Sequence, residues 1–219
     1  MSFLLALVAA PIAAEAAEAP TRWSASLNGR VTETYSYNQT TREDDCTITR
    51  LGTTGRELVV RSARPSVFSV SRSGARAAYR PALLSRLRVA TRWTGGRWDE
   101  IRRCRANPIE RRSGTCAAKP AATRVIRARF RWAGQNRISF LPMRRTEVAL
   151  CGIEAKVSTD GWLSLAPGRV DEEALIRGLK ARTVASGETS RDENFPERPD
   201  LVGGQNVRVS WTMGLRRLR

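Results

Sequence analysis

The sequence predicts an all-β fold, namely an antiparallel β-sandwich or flattened barrel of about nine strands with one short helix. Three observations support this class. Apolar and polar residues alternate in many short segments, and turn-forming residues separate these segments. Only one segment has the spacing of apolar residues that is typical of a helix. Because alternate side chains of a strand point to opposite faces, the alternating segments each present one apolar face to a core.

The first nineteen residues are expected to be an export signal rather than part of the fold. The stretch from Phe3 to Ala14 is apolar, and small residues with Ala-x-Ala spacing follow it, as at a signal-peptide cleavage site. A membrane span needs about 20 apolar residues, and Pro11 breaks this stretch. We therefore expect a signal peptide over residues 1–19, a single β-sandwich-like domain over residues 20–219, and no transmembrane segment.

Three segments alternate throughout and are the clearest strands. Val207 to Leu215 carries apolar residues on one face only and is expected to cover the core near the end of the sequence. Ile126 to Trp132 and Leu87 to Trp93 alternate equally well. Weaker strand candidates are Trp23 to Leu27, Val31 to Tyr37, Cys46 to Leu51, Glu57 to Arg61, Ser66 to Val70, Glu147 to Cys151, Gly161 to Leu165 and Ala181 to Ala185. A weak domain boundary is possible near Lys119 and Pro120.

Turn residues predict the register of two hairpins. The first would turn at Gly95-Gly96 as a two-residue loop, and the second at residues 134–136, with a positive φ at Asn136. In these registers Trp93 lies opposite Trp98 in the first hairpin, and Trp132 with Ile138 and Phe130 with Phe140 in the second. Both predictions place aromatic side chains together on the inner face.

One short helix and one long loop are predicted near the end of the chain. Asp171 is placed to cap the helix, with acidic Glu172 and Glu173 in its first turn. Its apolar stripe is expected to consist of Ala174, Leu175 and Leu179. From Gly187 to Gly204 the chain is polar and contains two prolines, which predicts a long exposed loop.

Four cysteines are expected to form two disulfides in an exported protein. They allow three pairings, and the sequence does not choose among them. The pairing we expect is the one that closes the shortest loop, which joins Cys104 with Cys116 and leaves Cys46 with Cys151. A four-cysteine zinc site is the alternative, but the cysteines lack the paired two-residue gaps of zinc ribbons. We therefore expect disulfides, no metal and no cofactor.

Composition narrows the possible chemistry. The chain contains no histidine, which excludes Ser-His-Asp and Cys-His hydrolases and zinc hydrolases that use imidazole ligands. No catalytic residue can be assigned from a motif. Paired carboxylates remain possible, because glycoside hydrolases need only two of them.

A large excess of positive charge indicates an acidic partner. The chain has 38 basic and 21 acidic residues, for a formal net charge of +17, and such a surplus attracts polyanions over a long range. The strand Ile126 to Trp132 should direct arginines away from the core, since its apolar residues occupy the other face. The candidate polyanion-binding residues are Arg127, Arg129 and Arg131, together with Arg86, Arg88 and Arg208 from other strands. The tryptophans of these strands are expected to face inward, which argues against specific binding of nucleic acid.

The chain resembles uncharacterised secreted β-rich proteins of GC-rich actinobacteria. The features shared are the alanine-rich leader, arginine-rich strands, four cysteines and a C-terminal segment such as that from Val207 to Arg217. The resemblance implies a soluble or envelope-associated β protein and no particular activity.

The leading functional interpretation is a secreted or cell-envelope module that binds or has a structural role and is not an enzyme. Its basic face would attract an acidic polysaccharide or an envelope phosphate polymer. One alternative is a histidine-free hydrolase of carbohydrate that uses paired carboxylates. Another is an interaction or inhibitor module that uses the loop at residues 187–204 or the segment between Cys104 and Cys116. The oligomeric state stays open.

Overall fold

The computed structural model describes residues 19–73, 76–80, 84–134, 137–140, 146–159, 166–196 and 198–219. The expected signal peptide lies outside these ranges except for its last residue, Ala19. The expected strand from Gly161 to Leu165 also lies outside them. The helix is α1 (Glu172–Arg177). The strands are β1 (Thr21–Glu43), β2 (Cys46–Ser62), β3 (Ser66–Ser73), β4 (Arg76–Arg80), β5 (Leu84–Cys104), β6 (Glu110–Cys116), β7 (Lys119–Gly134), β8 (Arg137–Phe140), β9 (Thr146–Ala149), β10 (Lys156–Thr159), β11 (Gly168–Arg169), β12 (Arg182–Asn194) and β13 (Leu201–Leu218).

Strand β1 is the longest and organises the sheet. Along one edge it pairs with β13 from Arg22 to Gln39. Along its other edge it pairs first with β3 and then with β2. Segments that the sequence predicted as separate strands, Trp23 to Leu27 and Val31 to Tyr37, are therefore parts of one strand.

The remaining strands continue an antiparallel sheet around the molecule. From β1 the order of neighbours runs through β2, β5, β7, β8, β11, β12 and β13, and β13 pairs again with β1. Strand β6 pairs with β5 beyond the end of β7, while β9 and β10 form a separate two-stranded sheet. The sheet thus folds over a central core, and the predicted antiparallel all-β class with one short helix is confirmed.

Apolar residues at alternate positions form the main core. Along β1, Trp23, Leu27 and Val31 are buried, and Val209 and Trp211 face them from β13. The indole N–H of Trp211 donates a hydrogen bond to the carbonyl of Ala166 at 2.7 Å. The period-two pattern that predicted the strand from Val207 to Leu215 is therefore the pattern of burial.

A second, smaller core lies beyond the first along β1. Tyr35 and Tyr37 pack there with Val148, Leu150 and other apolar residues near β9 and β10. The hydroxyl of Tyr37 donates a hydrogen bond to the carbonyl of Cys151. The small sheet of β9 and β10 therefore covers the part of the large sheet that contains Tyr35 and Tyr37.

The short helix forms where the sequence placed it. The Asp171 side chain accepts a hydrogen bond from the amide of Ala174 at 3.0 Å, and Gly178 ends the helix in the left-handed conformation. Leu175 is fully buried, and its carbonyl accepts a hydrogen bond from the indole of Trp23 at 3.0 Å. The expectation for Leu179 was wrong, because the helix ends before it and leaves it 68% exposed. No helix in the described residues has the length and apolar character that crossing a membrane requires.

The two predicted hairpins had different outcomes. Phe130 pairs with Phe140 and Trp132 with Ile138 in β7 and β8, so the second register is confirmed, while residues 135 and 136 lie outside the described ranges. The predicted turn at Gly95-Gly96 is wrong, because β5 continues through both glycines. A bulge replaces the turn: Gly55 of β2 pairs with Gly95, and the next residue, Arg56, pairs with Trp93.

The long exposed loop predicted for residues 187–204 is also wrong. Strand β12 continues to Asn194 and β13 begins at Leu201, so only a short connection remains. The exposed positions of these strands carry polar residues, so the composition of the segment is similar to that of a loop. Gly203 lies so close to β1 that an added Cβ would be 2.3 Å from the carbonyl oxygen of Ser36, which explains a glycine within a strand.

The cysteines form two disulfides, but not in the expected pairing. Cys46 bonds to Cys104 and Cys116 bonds to Cys151, and no cysteine is free. Cys46 and Cys104 are direct cross-strand partners in β2 and β5. Cys116 lies opposite Gly96, eight residues along β5 from Cys104, which at about 3.3 Å per residue is far beyond the reach of a disulfide.

Candidate anion-binding face and the adjoining groove

The outer faces of β2, β5 and β7 bring arginines together in direct register. Arg86 of β5 lies opposite Arg127 of β7, and Arg88 of β5 lies opposite Arg61 of β2. Residues opposite each other in antiparallel strands have Cα atoms about 4.5–5.5 Å apart. Arg129 extends this array by one further step along β7. We call these five arginines the basic face.

All members of the basic face are exposed. They alternate with core residues such as Leu87, Val89 and Val60, so the pleat of each strand directs them outward. None forms an ion pair with a carboxylate within the described residues. Since like charges directly opposite each other destabilise a sheet, two such arginine pairs are an unfavourable arrangement for the isolated protein. Val125, opposite Arg88 and 59% exposed, adds an apolar surface beside them.

Glu57 marks one border of the basic face. It lies opposite Arg92 of β5 and forms an ion pair with Arg30 of β1. This carboxylate is therefore already neutralised by a neighbour and does not reach into the array of five arginines.

The structure brings four of the six predicted binding residues together. Arg86, Arg88, Arg127 and Arg129 lie together on β5 and β7, and Arg61 of β2 joins them because it is the cross-strand partner of Arg88. Arg208 is exposed on β13, opposite Thr32 of β1, so two strands, β1 and β2, separate it from β5. Arg131 pairs with Ser139 of β8, but its side chain is outside the described part.

A shallow groove with both polar and apolar lining adjoins the basic face across β12, β13, β1 and β2. Its volume is about 450 Å³. Arg30 and Arg61 line the side nearest the basic face, and Ser186 and Glu188 line the opposite side. Hydroxyl and amide side chains lie between them, contributed by Ser210, Thr212 and Asn28. Arg61 is therefore common to the groove and the basic face.

A buried polar layer separates the two cores. Glu33 and Arg56, 1% and 5% exposed, form an ion pair between β1 and β2, and the hydroxyl of Tyr35 donates a hydrogen bond to the same Glu33 oxygen at 2.9 Å. Burial raises the pKa of Tyr35, and the neighbouring Glu33 carboxylate raises it further. Burial acts against the charge of Arg56, but its hydrogen bond and attraction to Glu33 outweigh this and raise its pKa. The Arg56 guanidinium also lies over the Trp93 ring, 5.7 Å from the centroid.

No pair of carboxylates lines any of the three cavities described next, all of which are formed by described residues. The groove contains one carboxylate, Glu188, and two other cavities contain none. One of these cavities lies beside Trp93 and the Cys116–Cys151 disulfide, and the other beside Phe195 and Arg198. The buried carboxylates Glu33 and Glu100 are each bound to an arginine. Asp45 lies near the sulfurs of Cys46 and Cys104, but those sulfurs are bonded to each other and are not thiolate ligands.

Comparison with known proteins gives only distant likenesses. No family model and no curated protein matches the sequence. A solved structure of the TodX monoaromatic hydrocarbon channel, deltaS2 mutant, aligns with 91% of this chain and 91% of its own, at 6% identity and a TM-score of 0.20. The attachment invasion locus protein Ail of Yersinia pestis aligns with 90% of this chain and 97% of its own, at 8% identity and a TM-score of 0.14. Likenesses of this size carry no argument about fold or function.

Proposed function

We propose that the protein is a secreted or cell-envelope module that binds acidic polymers on its basic face and has no catalytic role. The observation that carries the proposal is that two pairs of exposed arginines are direct cross-strand partners, Arg86 with Arg127 and Arg61 with Arg88. A bound anion would relieve the repulsion within each pair, so binding would stabilise the folded sheet. The two disulfides support export to an oxidising compartment, where such bonds persist.

The chemistry of arginine suits this role. A guanidinium group donates two parallel hydrogen bonds to one carboxylate or phosphate. Neighbouring arginines along one strand are about 7 Å apart at alternate positions, and those on adjacent strands about 5 Å apart. Such an array can contact several charges of one polymer at once, so that weak individual contacts combine. Salt should weaken the complex, because the attraction is screened over about 8 Å at physiological ionic strength.

The first prediction concerns the basic face. Replacing Arg86, Arg88 and Arg127 with glutamine should lower the affinity for heparin about tenfold or more, because three guanidinium contacts are lost. Affinity is measured by calorimetry, and the salt concentration for elution from a heparin column provides a second readout.

The matched control removes the same charge elsewhere. Arg103, Arg105 and Arg111 are exposed near the far end of β5 and in β6, with Arg103 about 50 Å along the strand from Arg88. Glutamine at these three positions should change the affinity by less than about threefold if screening limits the reach of each charge. Equal losses in the two triple variants would show that only net charge matters and would reject the basic face as a site.

A further inference from the structure

We propose that the acidic polymer is a polysaccharide whose sugar rings bind in the groove across β12, β13, β1 and β2, while its acidic groups bind the basic face. This inference rests on the function proposed above and narrows its ligand. Polyphosphate and nucleic acid, which carry an anion at every repeat, are the classes it disfavours.

The register of the strands joins the groove and the basic face into one surface. In one row across the sheet, Ser186 lies opposite Thr212, Thr212 opposite Asn28, Asn28 opposite Arg61, and Arg61 opposite Arg88. A hydroxyl-and-amide half of this row therefore leads directly into an arginine half. The neighbouring row contains Glu188, Ser210 and Arg30 in the same order of strands.

The polar side chains of the groove are available to a ligand. Asn28, Ser186, Ser210 and Thr212 make no side-chain hydrogen bond with another described residue, and all four are exposed. An asparagine amide offers both donors and an acceptor, and each hydroxyl offers a donor and acceptors. Sugar hydroxyl groups likewise both donate and accept hydrogen bonds. Groups of this kind match a ring bearing several hydroxyls better than they match a chain of anions.

Glu188 discriminates between the two classes of polymer. Its carboxylate is exposed within the groove, and it forms no ion pair with any cation of the described chain. An ionised carboxylate is an acceptor only, so it can bind sugar hydroxyl protons. The same charge repels a phosphate chain laid along the groove. Removal of Glu188 should therefore have opposite effects on the two ligands.

The second prediction uses hyaluronan, in which neutral and acidic sugars alternate, and long-chain polyphosphate as probes. Glu188→Ala should weaken hyaluronan binding about fivefold or more, since hydrogen bonds to a charged group are lost. It should leave polyphosphate binding unchanged or strengthen it. Asn28→Ala should also weaken hyaluronan binding without weakening polyphosphate binding. Binding is measured by calorimetry on the folded variants, with circular dichroism as the check of folding.

Glu43→Ala is the matched control, because Glu43 is an exposed carboxylate at the other end of β1. It should change neither affinity by more than about twofold. If Glu188→Ala strengthens hyaluronan binding as it does polyphosphate binding, the groove does not contact sugar hydroxyls and the inference fails. The basic face would still stand in that case if the Arg86, Arg88 and Arg127 variant loses both ligands. If that triple variant keeps both ligands, the proposed function itself fails.

Discussion

Among single residues, Glu33 and Arg56 are notable because they form an ion pair in the interior. Both side chains are almost completely buried, and one Glu33 oxygen has no hydrogen-bond partner among the described atoms. Burying two charges costs desolvation energy, and their mutual attraction offsets only part of it. The pair is therefore stable as a pair, whereas either partner alone would be a buried charge without compensation.

The third prediction follows from this asymmetry. Glu33→Ala should lower the free energy of unfolding by about 3–5 kcal/mol, because Arg56 remains buried without its carboxylate partner. Replacing both residues with apolar ones of similar volume, as in Glu33→Leu with Arg56→Met, should restore most of that loss. Urea denaturation of the three proteins measures the effect.

The ion pair of Lys156 and Glu147 provides the control at the surface. The two side chains are 62% and 72% exposed, and exposed pairs contribute about 0–1 kcal/mol. Glu147→Ala should therefore cost no more than about 1 kcal/mol. A loss as large as that of Glu33→Ala would contradict the argument from burial.

The sequence predicts the burial of Glu33 but not that of Arg56. In the predicted strand from Val31 to Tyr37, Glu33 lies on the same face as Val31 and Tyr35, because alternate residues share a face. Since Val31 and Tyr35 are expected to point into the core, Glu33 must point inward with them. Arg56 had no such signal, because it lies one residue before the predicted strand that begins at Glu57. Cross-strand partners depend on the pairing of distant segments, which alternation within one segment does not specify.

Among the secondary-structure elements, β5 departs most from its prediction. The dipeptide Gly95-Gly96 is typical of a tight turn, yet β2 pairs with the strand on both sides of it. Gly95 has a φ of +89°, so the glycine permits a bulge within a continuous strand. The two glycines therefore indicate an irregular backbone at this point. Whether that irregularity is a turn or a bulge depends on the pairing of β5 with β2, which the dipeptide does not specify.

The fourth prediction tests this bulge. Gly95→Ala should destabilise the protein by about 1–3 kcal/mol, because φ is positive and the added Cβ would be 2.7 Å from the carbonyl oxygen of Cys116. The control is Gly214→Ala in β13, where the nearest atom to an added Cβ is 4.0 Å away. Since alanine loses less entropy on folding than glycine, that variant should be neutral or slightly stabilising. Thermal unfolding of both variants measures the difference. Equal melting temperatures for the two variants would contradict the prediction.

At the scale of the whole molecule, all three tyrosines of the chain are shielded from solvent or only partly exposed. Burial raises the pKa of Tyr35, Tyr37 and Tyr79 above the ordinary value of 10.0. For Tyr79, the nearby Glu172 carboxylate adds to the effect. The folded protein therefore retains its tyrosine protons at a pH where the unfolded chain releases them.

The fifth prediction concerns stability at alkaline pH. Below about pH 10 the tyrosines are protonated in both states and contribute no pH dependence. Above it the unfolded state binds fewer protons than the folded state, so the free energy of unfolding falls as pH rises. The ultraviolet absorbance of tyrosinate should appear together with the loss of far-ultraviolet circular dichroism. Gradual ionisation near pH 10 with an intact circular dichroism spectrum would show that the tyrosines are accessible.

The overall architecture was predictable only in part. Alternation identified the all-β class and the outward direction of Arg127 and Arg129, because both depend on the geometry of one strand. The arrangement of arginines across strands depends on the register between strands, which the sequence does not specify. This register adds Arg61 to the basic face and places Arg208 away from it. The disulfide pairing failed for the same reason, since Cys46 and Cys104 meet only through the pairing of β2 with β5.

The long contact between β1 and β13 links the two extremes of the described chain. Arg22 pairs with Leu218, and the contact continues to Gln39 with Leu201. Of the described strands, β1 is synthesised first and β13 last, so this edge of β1 stays unpaired until β13 is available. Contacts so distant in sequence slow folding, and we therefore expect the pairing of β1 with β13 to form late, after β1 has already paired with its nearer partners β2 and β3.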